Sequence, residues 1–248
     1  MIISGFGWIT AMLTMAATTL VTIPLASLLC KNSSLQKVEV AQPSEGLWRQ
    51  ICQAMGDRSY LCLHAAFFTC GFHVAFLVTH LPGEVALSGY SANVSAISIS
   101  IIGLFNIAGS LFAGALGTIF RMKYILAVLY GSRAVMIGFF LIAPKTPLTF
   151  YIFAAALGFT WLATVPPTAG LIGKLFGTKY LATLFGLTVL THQVGGFLGA
   201  WLGGLAIAHD GNYLWMWYAD ISLAAIAALV NLPIREQKKI SVSKSATV

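Results

Sequence analysis

Charged and strongly polar side chains are scarce inside the long apolar runs of this chain, so each one found there is a candidate for chemistry. Arg133 is the one basic residue in the middle of such a run. A guanidinium at that depth costs at least about 2.5–3.5 kcal/mol, so it must face protein or water. It could clasp an anionic carboxylate bidentately, or it could bond helix carbonyls. Asp220, early in the last run, is either its ion-pair partner or a residue of the wet headgroup zone. His73 and His192 lie in mid-run, and an imidazole titrates near neutral pH, which suits coupling to protons. The plainer alternative is a neutral ring bonded to a helix carbonyl. Gln193 follows His192 but points about 100° further round a helix, so the pair does not face one cavity squarely. Asn106 and Ser110 sit one turn apart on one face. Thr160, Trp161 and Thr164 could line a path, Trp161 equally serving as a packing or interface residue.

Other chemistries lack their residues. The sequence holds no Walker motif, no Rossmann-type glycine cluster, no His-Glu-x-x-His, no Gly-x-Ser-x-Gly and no paired carboxylates. Cys30, Cys52, Cys62 and Cys70, separated by 21, 9 and 7 residues, match no zinc or redox spacing, and read as small apolar fillers. No enzymatic activity, cofactor, metal or nucleic-acid partner is expected.

The elements that must position these residues are apolar throughout. Seven runs are long enough to cross a bilayer, near 4–29, 61–79, 95–117, 124–142, 149–171, 181–208 and 213–232; a crossing needs about 20 apolar residues. Composition agrees, with 58% hydrophobic and 8% charged residues, where a soluble domain carries about 25% charged. The first run lacks a basic leader region and is too long for a cleaved signal peptide, so it reads as a retained helix. Alternating the connections puts twelve of the fourteen Lys and Arg on one face: Lys31, Lys37, Arg49, Arg58, Arg121, Lys123, Lys174, Lys179, Arg235, Lys238, Lys239 and Lys244. Only Lys145 lies opposite. Basic residues are retained on the cytoplasmic side, which places the C-terminus inside and the N-terminus outside a plasma or inner membrane. The net charge of +7 is thus a topology signal.

One span (1–29) stands apart, followed by a polar connection (30–58), six closely spaced spans (59–234) and a basic tail (235–248). The six divide into similar triplets. Each opens on an aromatic-rich helix holding a glycine (Gly71, Gly158) and continues with a glycine-studded one (Gly103, Gly109, Gly114, Gly117; then Gly195, Gly196, Gly199, Gly203, Gly204). Three-helix repeats are what transporter folds show in hydropathy. Gly195, Gly199 and Gly203 share one helical face, and small residues at that spacing let backbones approach closely in lipid. Pro166 and Pro167 remove two backbone donors and should bend or open their helix.

Several runs in order resemble one known family. Cys70-Gly71-Phe72-His73-Val74-Ala75-Phe76 with Thr79-His80-Leu81-Pro82 is similar to the seventh helix of bacterial major facilitator transporters, in the subgroup related to monocarboxylate and oxalate/formate carriers. Gly103 to Ser110, Tyr130-Gly131-Ser132-Arg133-Ala134, Thr164-Val165-Pro166, Thr191-His192-Gln193-Val194-Gly195 and Leu232-Pro233-Ile234-Arg235-Glu236 resemble the same subgroup. The resemblance implies an all-α membrane fold in which the first span matches the sixth of twelve helices and the last six form one bundle. It also implies secondary transport of a small organic anion by alternating access between two bundles, with or without a proton. On that alignment the chain is an N-terminally truncated carrier, inactive alone unless it dimerises or meets a separate N-terminal half. The helix of Arg133 would lie on the outer flank, which favours a structural role, while those of His73 and His192 would flank the cavity. Asn106 and Ser110 replace an Asp and an Arg of the monocarboxylate carriers. Thr118-Ile119 replaces an Asp-Arg pair thought to latch inner helix ends.

A seven-helix receptor or sensor is the alternative from another class. A retinal protein is disfavoured because no span contains a lysine, and only His73 and His192 could serve a haem.

Overall fold

A computed structural model describes residues 2–20, 24 and 46–236. The remainder of the expected first span, most of the 30–58 connection and the tail beyond Glu236 lie outside the described residues. All described regular structure is helical. Helix α1 (Ile2–Leu20) covers the start of the first expected span, and its Thr14 hydroxyl bonds back to the Thr10 carbonyl at 2.7 Å.

The second compact unit begins with α2 (Leu47–Met55), a short helix inside the segment expected as a connection. Six spans follow: α3 (Arg58–Leu87), α4 (Ala92–Ile119), α5 (Met122–Ile142), a broken span of α6 (Pro147–Trp161), a 3-10 turn (Leu162–Thr164) and α7 (Val165–Phe176), then α8 (Leu181–Asp210) and α9 (Leu214–Asn231). Each is long and apolar enough to cross a bilayer. Asp57 caps α3 by accepting from the amides of Ser59 (2.7 Å) and Tyr60 (3.2 Å). Thr146 caps α6 ahead of Pro147, a proline-first start. Gly211, at φ 64°, closes α8 in the left-handed conformation.

The largest departure from the expected spans is at α3, which continues through Pro82 to Leu87. The fifteen-residue loop anticipated at 80–94 shrinks accordingly. An interior proline costs about 3 kcal/mol, but Leu81 and Val85 on the added turns are each only 1% exposed. Their packing in the aromatic cluster favours continuing the helix past the break.

The triplet similarity corresponds to packing. Helix α3 lies against α8, α4 against α6, and α5 against α9. Exchanging the first triplet with the second turns the α3–α8 pair into the α6–α4 pair and leaves α5–α9 unchanged. Glycine makes both crossings. A Cβ on Gly71 would run into the His192 backbone, one on Gly195 into the Phe68 carbonyl, and one on Gly199 into the Phe72 carbonyl. In the other pair, Gly109 abuts the Phe159 carbonyl and Gly158 lies against Ile102. Gly203 accommodates the His80 ring, whose Nε2 donates to the Ala200 carbonyl at 2.8 Å. In lipid such contact replaces the hydrophobic drive that is absent between apolar helices.

The interior holds two large apolar clusters besides a small one of Ala113, Ile125, Leu129 and Ala163. One is rich in aromatics, with Phe76, Phe140, Phe150, Phe153 and Trp217. The other, toward the basic end, holds Tyr60, Leu63, Leu126, Tyr130 and Leu171. At that basic end Glu236 fastens the bundle. Its carboxylate accepts from the amides of Met122 and Lys123 (both 3.1 Å) at the start of α5 and from Lys174 Nζ (2.6 Å). Lys123 Nζ donates in turn to the carbonyls of Leu232 (2.8 Å) and Ile234 (3.0 Å). An anion at a helix start is favoured by the exposed amides and the dipole. This clasp sits beside the turn between α4 and α5 that follows Thr118-Ile119.

Two outcomes are expected. Gly199→Ala should destabilise the bundle by about 1–3 kcal/mol, as overpacking does, whereas Gly138→Ala, where a Cβ meets nothing within 4 Å, should be neutral or stabilising; thermal melts in detergent would show it. For Glu236, burial raises the carboxyl's pKa, but Lys174 and the two amides outweigh it, leaving it below the ordinary 4.5. A depressed carboxyl contributes stability that is complete above the unfolded value and fades as pH falls through the folded one. Wild type should therefore lose melting temperature below about pH 4.5 more steeply than Glu236→Gln, which lacks that titration.

Candidate functional site

The broken span organises the polar interior. Pro166 has no N–H to offer the Leu162 carbonyl, and the Val165 amide bonds that carbonyl instead. The 3-10 turn that results frees the Trp161 carbonyl from its usual partner, the amide four residues on. Arg133 supplies the replacement. Its Nη2 donates to the Trp161 carbonyl at 2.7 Å and also to the Thr160 carbonyl. Its Nε donates to Thr160 Oγ1 (3.4 Å), and Nη1 reaches Cys70 Sγ (3.5 Å). The guanidinium also stands 5.2 Å over the Tyr130 ring. On the other side of the break, Asn106 Oδ1 accepts from the Leu162 amide at 2.8 Å. Two neighbouring helices thus satisfy the backbone that the prolines disturb.

Arg133 is 1% exposed and has spent four of its five N–H donors on protein. Of the two roles its sequence left open, the structure gives it the carbonyl-bonding one. Thr160 and Thr164 are buried with it; Thr164 Oγ1 approaches Cys70 Sγ at 3.5 Å and bonds back to the Trp161 carbonyl. Cys70, read as an apolar filler, is therefore the meeting point of α3, α5 and the broken span. Its place one helical turn from His73 in the polar run was the available signal, but cysteine's usual inertness in apolar helices masks it.

Asp220 does not meet Arg133. Its Oδ2 lies 2.5 Å from His73 Nδ1 in a pair exposed by 0% and 1%, tying α9 to α3 in the aromatic cluster beside Phe76 and Trp217. A buried charged group is tolerable only when paired; each residue gives the other one partner, while His73 Nε2 and Asp220 Oδ1 are buried without a hydrogen bond among the described residues. His73 is thus closed off from solvent.

His192 and Gln193 remain accessible. His192 is half-buried, Gln193 is exposed, and His192 Nδ1 lies 3.2 Å from Gln193 Oε1. Side chains leaving a helix 100° apart can still meet when both are long. The residue just before His192 on this helix, Thr191, bonds through Oγ1 to His64 Nδ1 of α3 at 2.6 Å, a contact that sequence spacing does not reveal. Ser110 is half-buried and bonds its own helix at Ile107. The structure therefore joins Arg133, Thr160 and Thr164 in one interior cluster and Asn106 to the same break. It leaves Ser110 and the His73–Asp220 pair apart from that cluster. The helix kink at Pro166 and Pro167 is present, and the Gly195, Gly199 and Gly203 face is a packing seam. Among the described residues no cluster of three His, Cys, Asp or Glu could hold a metal.

The Arg133 bridge predicts an epistatic pair. Arg133→Met should destabilise the bundle by roughly 1–3 kcal/mol for each carbonyl left unpaired. Adding Pro166→Ala restores an amide donor to the span, so the double variant should lose less than Arg133→Met alone. Equal losses in melting temperature would show that the bridge does not serve the break.

Comparison with known proteins agrees with this architecture. The family model of the Major Facilitator Superfamily matches residues 1–200. Among curated proteins the chain is similar to the uncharacterized MFS-type transporter YcxA of Bacillus subtilis (strain 168), with 24% identity over 214 residues, or 84% of this chain and 51% of that protein. The chain spans about half the length of this curated relative.

Proposed function

The chain belongs to the Major Facilitator Superfamily, and on that premise we propose that α3–α9 form one bundle of a secondary carrier for a small organic anion. Transport would use this bundle together with a second one. As a multi-pass membrane protein of a transporter family, the chain has apolar helices and few charges, and those charges separate by function. Arg133, His73 and Asp220 hold the bundle together. Among the polar groups left accessible at mid-span, His192 and Gln193 on α8 lie side by side. One observation carries the proposal: an interrupted span, secured by Arg133 and Asn106 from two neighbours, runs through the same polar layer as that accessible pair. Broken helices persist in membranes where protein or a cavity satisfies them, and carriers place solute sites beside them. Resemblance to the monocarboxylate subgroup supports the anion class. In this proposal the basic end, with Arg58, Arg121, Lys174 and Lys179, faces the cytoplasm, and the two glycine-packed pairs rock as units against the second bundle.

Uptake in proteoliposomes tests this. The chain combined with a first-half bundle should accumulate a labelled monocarboxylate above empty vesicles. The chain reconstituted alone as a monomer should not. His192→Ala and Gln193→Ala should each lower the rate roughly tenfold, as loss of one charge-assisted hydrogen bond does, without lowering the melting temperature. Uptake by the lone monomer, or no uptake of any organic anion by the combined form, would overturn the assignment.

A further inference from the structure

A groove of about 850 Å³ runs along the flank of the bundle between α4, α5 and α6. It exists because α5 packs away from the α4–α6 pair. Helix α4 is drawn onto α6 at Gly109 and Gly158, while α5 packs on α9. The floor between them is Ala155 and Ala156, and the walls carry Phe112, Val128 and Met136. Of the hydroxyl-bearing residues in the lining, Ser132 and Thr160 are turned onto their own helices, Ser132 Oγ to the Leu129 carbonyl (2.8 Å) and Thr160 Oγ1 to the Leu157 carbonyl (3.0 Å), and Tyr124 lies near the Arg121 end. The groove is therefore apolar along its length until it ends at Arg121. From Arg121 to Met136 along α5 is about 22 Å at 1.5 Å per residue, more than the roughly 15 Å depth of one leaflet.

Arg121 is the cation left unspent at this place. Lys123 is committed to the Leu232 and Ile234 carbonyls and Lys174 to Glu236. The Arg121 side chain has no hydrogen-bond or ion-pair partner among the described residues. A second copy of the chain is poorly equipped to supply one. Of the described carboxylates, Asp57 caps α3, Asp220 pairs with His73, Glu236 is clasped, Glu84 accepts from Trp217, and Asp210 lies at the opposite end of the bundle. An anion that brings its own long apolar body fits better. We propose that this groove is a binding site for an anionic phospholipid, its acyl chain lying on Ala155 and Ala156 and its phosphate on Arg121. Guanidinium–phosphate pairing is bidentate and charge-assisted, and the apolar groove takes the chain that the phosphate cannot carry into water.

Native mass spectrometry of the purified full chain, loaded with equal phosphatidylglycerol and phosphatidylcholine, tests the site. Wild type should retain one phosphatidylglycerol in preference to phosphatidylcholine. Arg121→Gln should cut that preference about fivefold, the worth of one basic residue at an anionic surface. Ala156→Trp should block the groove and remove the retained lipid of either kind. Val128→Trp, at an exposed wall, does the same with less risk to the fold, which circular dichroism and melting would check. Lys179→Gln, at the same end but outside the groove, should change nothing. Unchanged lipid selectivity in Arg121→Gln overturns the proposal. So does an Ala156→Trp or Val128→Trp protein that keeps its lipid but changes oligomeric state, a result that would assign the groove to a protein partner.

Discussion

Hydrocarbon offers no water to a backbone amide or carbonyl, and the break at Leu162–Thr164 puts several of them in mid-membrane. The bundle is built around meeting that demand. A proline pair that merely bent a helix in water would cost about 3 kcal/mol. In lipid each orphaned group adds several more. Arg133 from α5 and Asn106 from α4 answer from opposite sides, so the interrupted span is fixed to both neighbours by the defect itself. The otherwise expensive guanidinium is stabilised in the same exchange, since it supplies the shortest bond to a Trp161 carbonyl that otherwise meets only the Thr164 hydroxyl at 3.3 Å. Charge and break each make the other tolerable, which is why a lone intramembrane arginine can be fully buried here.

Around that layer the packing is divided by necessity. Aromatic side chains fill one cluster and smaller aliphatics with two tyrosines the other, and the polar residues of α3, α5, the broken span and α9 lie between. The same layer crosses the points of closest helix approach, Gly71 on His192 and Gly109 on Phe159. Backbones in such contact leave little room to slide past each other, which suits the rocking of whole pairs in the proposed mechanism.

The sequence makes the apolar spans legible because their length is set by the bilayer, and the glycine spacing makes the seams legible because only glycine allows such approach. Its limits are equally physical. Pro82 looks like a helix end, yet burial of Leu81 and Val85 overrides it. Asp220 and Arg133 look like partners by charge alone. Pairing across a bundle depends on which faces meet, and the meeting face of α9 presents Asp220 to His73. Cys70 is unreadable for a related reason: a thiol becomes polar in effect only beside a guanidinium, a neighbour supplied by a helix more than sixty residues away. His192 and Gln193 were separated by their angle on the helix, but long side chains close an angle that backbones do not.

Consumption of charge also decides how an anion could be held. Arg133 has a single N–H left and is walled in by Cys70, Thr160 and Tyr130; reaching it would require undoing the brace on the Trp161 carbonyl. His73 is locked against Asp220. In the carrier proposed above, a carboxylate at the accessible face of α8 would meet an imidazole and an amide rather than a fixed cation. Its charge would then have to be balanced from outside this bundle, which makes binding conditional on closure. A bundle that kept a free arginine at this depth would hold such an anion unaided.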